Sequence, residues 1–366
     1  MAVTHLHGPV VVIGTGLLGT SIGLGLEHRG VPVFLEDPSP TNQAVAVDIG
    51  AGRPVAELEA DPGAQPEVVV VAAPPDVTAD VVARSLQRWP RAVVVDIASV
   101  KGAILADLRG RGVDLSRYVG THPMAGREKS GPVAARGELF TSMPWVVCPG
   151  GEAAPDAVRA AKALGADLGA MVVEFGPEEH DEAVALVSHL PQVMSSLLAS
   201  RLQGTDLRLL ALAGNGLRDT TRIAASDPGL WVQILGANAP KIVEHLYGVR
   251  EDVERLIRTL EAPAAPGARL DLAQLMTEGN AGQARIPGKH GGPPQAFAWL
   301  TVLVDDRPGQ IARLLTEIGE IGVNLEDLRL DHSSGRNVGM VEISVLPSKH
   351  DALVTELEER GWRVLQ

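Results

Sequence analysis

Within the first hundred residues, four short runs consist almost wholly of β-branched and other apolar residues: VVVIG (Val10–Gly14), VPVFLED (Val31–Asp37), EVVVVAAPP (Glu67–Pro75) and RAVVVDIAS (Arg91–Ser99). Their apolar residues are nearly continuous rather than alternating, which is the pattern of strands covered on both faces. The segments between them, among them Leu17–Arg29 and Asp76–Arg88, are long enough for crossover helices. A repeated strand, crossover helix and strand implies a parallel sheet in a doubly wound α/β domain. RYVGTHPM and MPWVVCP supply two further strand candidates.

The pattern changes near Pro177. From there to Gly248 the chain is dominated by Ala and Leu at helical spacing. PEEHDEAVALVSHLPQVMSSLLASRLQG opens with Pro and acids and closes with Gly, as a helix does. Pro191 inside it predicts a kink. EDVERLIRTLEA reads as a later amphipathic helix, and the Gly/Pro density of IPGKHGGPP marks a linker. Beyond it, six segments read strand, helix, strand, strand, helix, strand, the ferredoxin-like βαββαβ order. A chain of 366 residues suits two or three domains. The expected division is an α/β Rossmann-like domain over 1–176, an all-α domain over 177–285, a linker over 286–295 and a ferredoxin-like domain over 296–366.

The first strand runs into GTGLLG, placing Gly14, Gly16 and Gly19 as G-x-G-x-x-G between a strand and a helix. In that context the pattern predicts a dinucleotide site. Gly14 permits the tight turn, Gly16 lets a pyrophosphate approach the backbone, and Gly19 allows close helix–strand packing. The helix N-terminus offers free N–H groups to the phosphates. Leu17 and Leu18, with Ala73 and Pro74 at the end of the third run, are further cofactor-binding candidates. Glu36 and Asp37 end the second strand about 20 residues on, where an acid holds the ribose 2′-hydroxyl of NAD. Two carboxylates would repel the 2′-phosphate of NADP, so NAD is the expected cofactor, with Glu36 as its partner.

Open α/β sheets bind ligands beyond the carboxyl ends of their strands. DIASVKG puts Ser99 and Lys101 at such an end, and THPMAGREKSG puts His122 at another. From the helical region, SHLPQ brings His189, and GNGLRDTTRIAASDPGLW brings Arg218, Asp219, Thr220, Arg222, Asp227 and Trp231. On residue logic alone His189 reads equally as a satisfied core histidine. Arg222 reads equally as half of an intrahelical ion pair with Asp219.

The formal net charge of −13 argues against general nucleic-acid binding. No run of consecutive apolar residues reaches membrane-spanning length and the first eight residues lack a signal-peptide pattern, so a cytoplasmic protein is expected. The single cysteine, Cys148, excludes an intrachain disulfide and a multi-cysteine zinc site, and no metal is expected.

In order and spacing, the glycine motif, DIASVKG, THPMAGREKSG, SHLPQ and TRIAASDPGLW together resemble the prephenate/arogenate dehydrogenase family. The terminal unit, with DDRPGQIARLLTEIGEIGVNLEDLRL, resembles an ACT domain, a module that binds amino acids as effectors. The resemblance covers nearly the whole chain. It implies NAD-dependent oxidative decarboxylation of prephenate to 4-hydroxyphenylpyruvate, or of arogenate to tyrosine. It implies His122 as the base that accepts the hydroxyl proton, Ser99 bonded to the same hydroxyl or to His122, and Arg222 as a carboxylate clamp. Glu128, Lys129, His189 and Trp231 would complete the substrate pocket. The resemblance also implies a homodimer through the Ala/Leu-rich helices, and tyrosine as an effector at Gly309 and Asn324. The sequence departs from the family at Gln192, where many members carry a second histidine, and in Arg127, an extra cation beside the base.

Two other readings compete. A β-hydroxyacid dehydrogenase would rely on a catalytic lysine in its helical domain and need no terminal effector module. A non-catalytic amino-acid sensor would not need Ser99, His122 and Arg222 together.

Overall fold

The computed structural model describes residues 4–126, 131–287, 297–332 and 338–365. They divide into two compact units, Met1–Val253 and Glu254–Gln366.

The first unit is built on an eight-stranded sheet: β1 (Val10–Ile13), β2 (Val33–Glu36), β3 (Arg53–Pro54), β4 (Val68–Val71), β5 (Val93–Asp96), β6 (Tyr118–Pro123), β7 (Pro144–Cys148) and β8 (Met171–Glu174). The order is β3-β2-β1-β4-β5-β6-β7-β8. All neighbours run parallel except β6 and β7. The four valines of β4 are wholly buried, as continuous apolar runs require when helices cover both faces. One face packs Val10, Val12, Val68 and Val70 on the helix Leu17–Glu27; the other packs Val11, Val69 and Val71 on the helix Pro75–Arg88. β1 lies between β2 and β4, so successive crossovers diverge there and leave a crevice at the strands' carboxyl ends.

A near-continuous helical stretch, Pro177–Ser200, follows the sheet. The kink expected at Pro191 takes the form of a π-helical turn at Ala185–His189, with Pro191 in the first turn of the next helix, Leu190–Ser200. Proline has no N–H to continue the ladder, and a wider turn absorbs the missing bond. By length and composition this stretch could cross a membrane. No run of consecutive apolar residues in it reaches that length, because the polar Ser188, His189 and Gln192 interrupt it. Its outward apolar side chains include Leu186, Val187 and Leu197. Shorter helices at Leu207–Leu210 and Asn215–Thr221 contribute no buried residue. The helix Pro228–Ala237 instead packs Ile234 and Trp231 onto the sheet domain.

In the second unit, the helix Ala268–Gln283 precedes β9 (Ala298–Asp305), β10 (Asp327–His332), β11 (Val338–Val345) and β12 (Arg363–Leu365). The expected linker 286–295 lies outside the described residues from 288 onward. The four strands form an antiparallel sheet in the order β10-β11-β9-β12. Helices Gln310–Ile321 and Pro347–Glu359 cover one face through Leu314, Ile318, Leu353 and Leu357. This is the expected βαββαβ arrangement.

Candidate active site

The crevice beside β1 holds a cavity of about 1280 Å³ that runs from the glycine turn to Ser99 and Leu230. Gly14 has φ +103, and a Cβ there would lie 2.2 Å from the Ala72 carbonyl oxygen. A Cβ on Gly19 would lie 1.9 Å from the Gly14 oxygen. Both positions therefore admit only glycine. Gly16 has open space on its Cβ side, where a ligand can approach the backbone. No side chain caps the helix Leu17–Glu27 and no acid lies in its first turn, so its N–H groups remain available for an anion. Leu17, Leu18, Ala73 and Pro74 line the same cavity. The residues present fit a dinucleotide.

Glu36 and Asp37 both border the cavity. Asp37 accepts from the Thr15 N–H at 2.6 Å, from Thr15 Oγ1 at 2.9 Å and from the Ser39 N–H at 2.8 Å. It therefore braces the glycine turn and caps the turn after β2. Glu36 pairs with Arg88, whose guanidinium also binds Glu59 and lies over the Trp89 ring.

Ser99 lines the cavity just beyond β5, as expected. Lys101 does not face it. This corrects the sequence reading: Lys101 is 1% exposed, pairs with Asp96 and donates to the Thr121 carbonyl at 2.7 Å. Asp96 also accepts from Tyr118 Oη at 2.8 Å and from the Ala98 N–H at 2.9 Å. This buried node joins β5 to β6 directly beneath His122. Its desolvated charges are tolerated because each is paired and hydrogen-bonded.

His122 occupies the carboxyl end of β6 and is 9% exposed. Burial, together with the nearby His180, Lys101 and His189, holds its imidazole well below the ordinary range. It is therefore neutral at physiological pH and able to accept a proton. Its Nδ1 lies 2.9 Å from Nε2 of His180, a residue that the sequence reading did not single out.

From the helical region Leu230 borders the cavity, while His189, Gln192, Arg222 and Trp231 are not among its lining residues. His189 is buried, stands edge-on to Trp231 at 6.0 Å between ring centroids, and meets Asn238 Nδ2 at 3.2 Å. Burial pushes its pKa down to about 4. Gln192 is also buried; its Oε1 accepts from Ser226 Oγ at 3.4 Å. It thus ties the helix Leu190–Ser200 to the segment that carries Arg222. Arg222 itself is exposed at the head of the turn Arg222–Ala224. Glu128 and Lys129, like Arg127, lie outside the described residues.

In the second unit Gly309 has φ +88 at the start of the helix Gln310–Ile321, with open space where a Cβ would be. Asn324 is exposed and its Nδ2 donates to Glu326 Oε1 at 3.3 Å.

Two family models match the chain: the prephenate dehydrogenase nucleotide-binding domain over residues 22–174, and the prephenate dehydrogenase dimerization domain over 176–278. The chain is 36% identical over 359 residues to the probable prephenate dehydrogenase NovF of Streptomyces niveus, covering 96% of this chain and 98% of the relative. Among solved structures, prephenate dehydrogenase from A. aeolicus, in complex with hydroxyphenyl propionate and NAD+, superposes with a TM-score of 0.65 at 26% identity. That match covers 75% of this chain and 98% of that one. Synechocystis arogenate dehydrogenase superposes with a TM-score of 0.61 at 26% identity, over 75% and 99% of the two chains.

Proposed function

The chain belongs to the prephenate dehydrogenase family and is an NAD-dependent oxidoreductase of tyrosine biosynthesis, and from that premise we propose how its residues divide the reaction. Prephenate is a cyclohexadiene with a ring carboxylate, a pyruvyl carboxylate and a hydroxyl on the carbon opposite the ring carboxylate. NAD bound at the glycine turn supplies the hydride acceptor. As the hydride leaves the hydroxyl-bearing carbon, His122 takes the hydroxyl proton. The bond to the ring carboxylate then breaks, carbon dioxide departs, and the electron pair aromatises the ring. His122 returns its proton to the phenolate oxygen, giving 4-hydroxyphenylpyruvate. A buried, neutral imidazole suits both steps.

Ser99 holds the hydroxyl in line with His122. Arg222 clamps a substrate carboxylate with its planar fork. His189, held neutral by burial, and Trp231 shape the apolar wall. The observation that carries this reading is the single cavity reaching from Gly14 and Glu36 to Ser99, with the carboxyl end of the neighbouring strand bearing His122. NADH formation measured with prephenate and arogenate in parallel tests it. Turnover of prephenate, with hydroxyphenylpyruvate appearing at the rate of NADH, is expected; turnover of arogenate alone would make the chain an arogenate dehydrogenase.

The dimerization domain is the basis for a homodimer. Leu186, Val187, Leu197, Leu207 and Leu212 are 51–84% exposed in one chain, more apolar surface than a lone protomer usually presents. The terminal unit would bind tyrosine, with its carboxylate at the N–H groups after Gly309 and its ammonium near Asn324. An acidic chain whose only cysteine is buried, its thiol pushed up to about 12 by that burial, fits a cytoplasmic enzyme.

A further inference from the structure

Behind His122 a hydrogen-bonded chain runs away from the cleft. His122 Nδ1 lies 2.9 Å from His180 Nε2, and His180 Nδ1 lies 2.9 Å from Asp181 Oδ1. Asp181 Oδ1 also accepts the Lys101 N–H, and Oδ2 the Gly102 N–H, each at 2.8 Å. His180 and Asp181 are 2% and 6% exposed, and both lie in the middle of the helix Pro177–Val184. The seat of the carboxylate is tailored: a Cβ on Gly102 would lie 2.9 Å from Asp181 Oδ2. Asp181 thereby caps the helix Gly102–Gly110, which has no side-chain cap of its own.

We propose that His180 and Asp181 are positioning residues that fix His122 in the tautomer with Nε2 free, and that share the charge His122 gains during turnover. The proposal rests on the reading of His122 as the base.

The order of protons follows from the carboxylate end. Burial pushes Asp181 up, but the bonds from His180 and from the N–H groups of Lys101 and Gly102 outweigh it and hold the carboxyl below its usual range. Asp181 is therefore ionised and can only accept. His180 must carry its proton on Nδ1 to donate to it, which leaves His180 Nε2 as an acceptor. His122 must in turn carry its proton on Nδ1, which leaves its Nε2 lone pair for the substrate. This is the tautomer that a base needs.

The same chain handles the gained charge. When His122 Nε2 takes the hydroxyl proton, the proton on His122 Nδ1 passes 2.9 Å to His180 Nε2. His122 is left neutral, and the single added charge sits on His180 against the Asp181 carboxylate. Two protons move and one is gained by the pair. When the phenolate is reprotonated both movements reverse. The charge thus comes to rest on a ring paired with an anion, which a buried cation requires. The competing arrangement is a doubly protonated His180. It would force the proton of His122 onto Nε2 and abolish the base.

The test uses the full-length enzyme and the variants His180→Gln and His180→Leu. Gln can still accept from His122 Nδ1 but cannot pass a charge to Asp181; Leu can do neither. Nitrogen NMR of histidine-labelled protein reads the tautomer, and steady-state kinetics reads turnover. The expected result is His122 protonated on Nδ1 in the wild type and in the Gln variant, and a tautomer mixture in the Leu variant. Turnover should fall about 10-fold with Gln and at least about 10²-fold with Leu, while both KM values change less than about threefold. Protonation of wild-type His122 on Nε2 would overturn the proposal, and that measurement stands even if the Leu variant does not fold. Wild-type turnover in the Gln and Leu variants, with His122→Asn inactive, would also overturn it while leaving His122 as the base. An active His122→Asn would instead remove the reading beneath it.

Discussion

The carboxylate of Glu36, at the end of β2, lies 2.6 Å from Nη1 of Arg88, and Arg88 is held on its other side by Glu59. This cation borders the cavity where the proposed reading puts the ribose, but its charge is shared between two glutamates. A 2′-phosphate would meet Glu36 before it met Arg88. Glu36→Ala should expose the guanidinium, raise kcat/KM with NADP by at least about 10-fold and lower it with NAD. Steady-state kinetics with the two cofactors checks this; an unchanged preference would mean that Asp37 alone sets it.

Arg222→Ala should raise KM for prephenate by at least about 10-fold and leave the Kd for NAD within about twofold, because a carboxylate clamp acts through charge-assisted hydrogen bonds to substrate. Isothermal titration with NAD and initial-rate kinetics separate the two effects. Loss of NAD affinity with an unchanged KM would assign Arg222 to the cofactor or to the fold.

Lys101→Met would leave the Asp96 carboxylate buried without its cation. Breaking one side of a buried pair costs about 3–5 kcal/mol. Urea unfolding should show a loss of that order. Turnover should fall as well, since Lys101 also holds the Thr121 carbonyl next to His122. A loss below about 1 kcal/mol would mean that solvent reaches Asp96 after the substitution.

Much of this was legible in the sequence because it is local. The central strands announce themselves as continuous valine runs, and the glycine turn by its spacing between a strand and a helix. β3 has two residues, too few to carry a pattern, and β8 is a short edge strand whose apolar run Met171–Val173 was not singled out and whose residues are exposed at three of four positions. Lys101 looks the same in sequence whether it faces a cleft or a buried aspartate. Only the fold turns it inward. His180 and Asp181 read as part of an acidic helix start; their meaning comes from His122, 58 residues earlier in the chain. An acidic helix start that also carries His-Asp was the one available signal, and it is weak.

Tyrosine should inhibit through the terminal unit. Asn324→Ala, or removal of residues 296–366, should raise the tyrosine concentration for half-inhibition by about 10-fold, a coupling of about 1.4 kcal/mol. Because such coupling is reciprocal for binding, prephenate should weaken tyrosine affinity. Inhibition measured at several prephenate concentrations in full-length and altered protein decides the matter. Equal sensitivity would mean that tyrosine competes in the cleft.

The most direct test of the account is single-turnover formation of NADH from prephenate by His122→Asn and by the wild type, with the Kd for NAD measured on both. The account predicts that the variant binds NAD as the wild type does and forms NADH at least about 10²-fold more slowly, the loss expected when a general base is removed. A rate within about threefold of the wild type, with NAD bound normally, would contradict it.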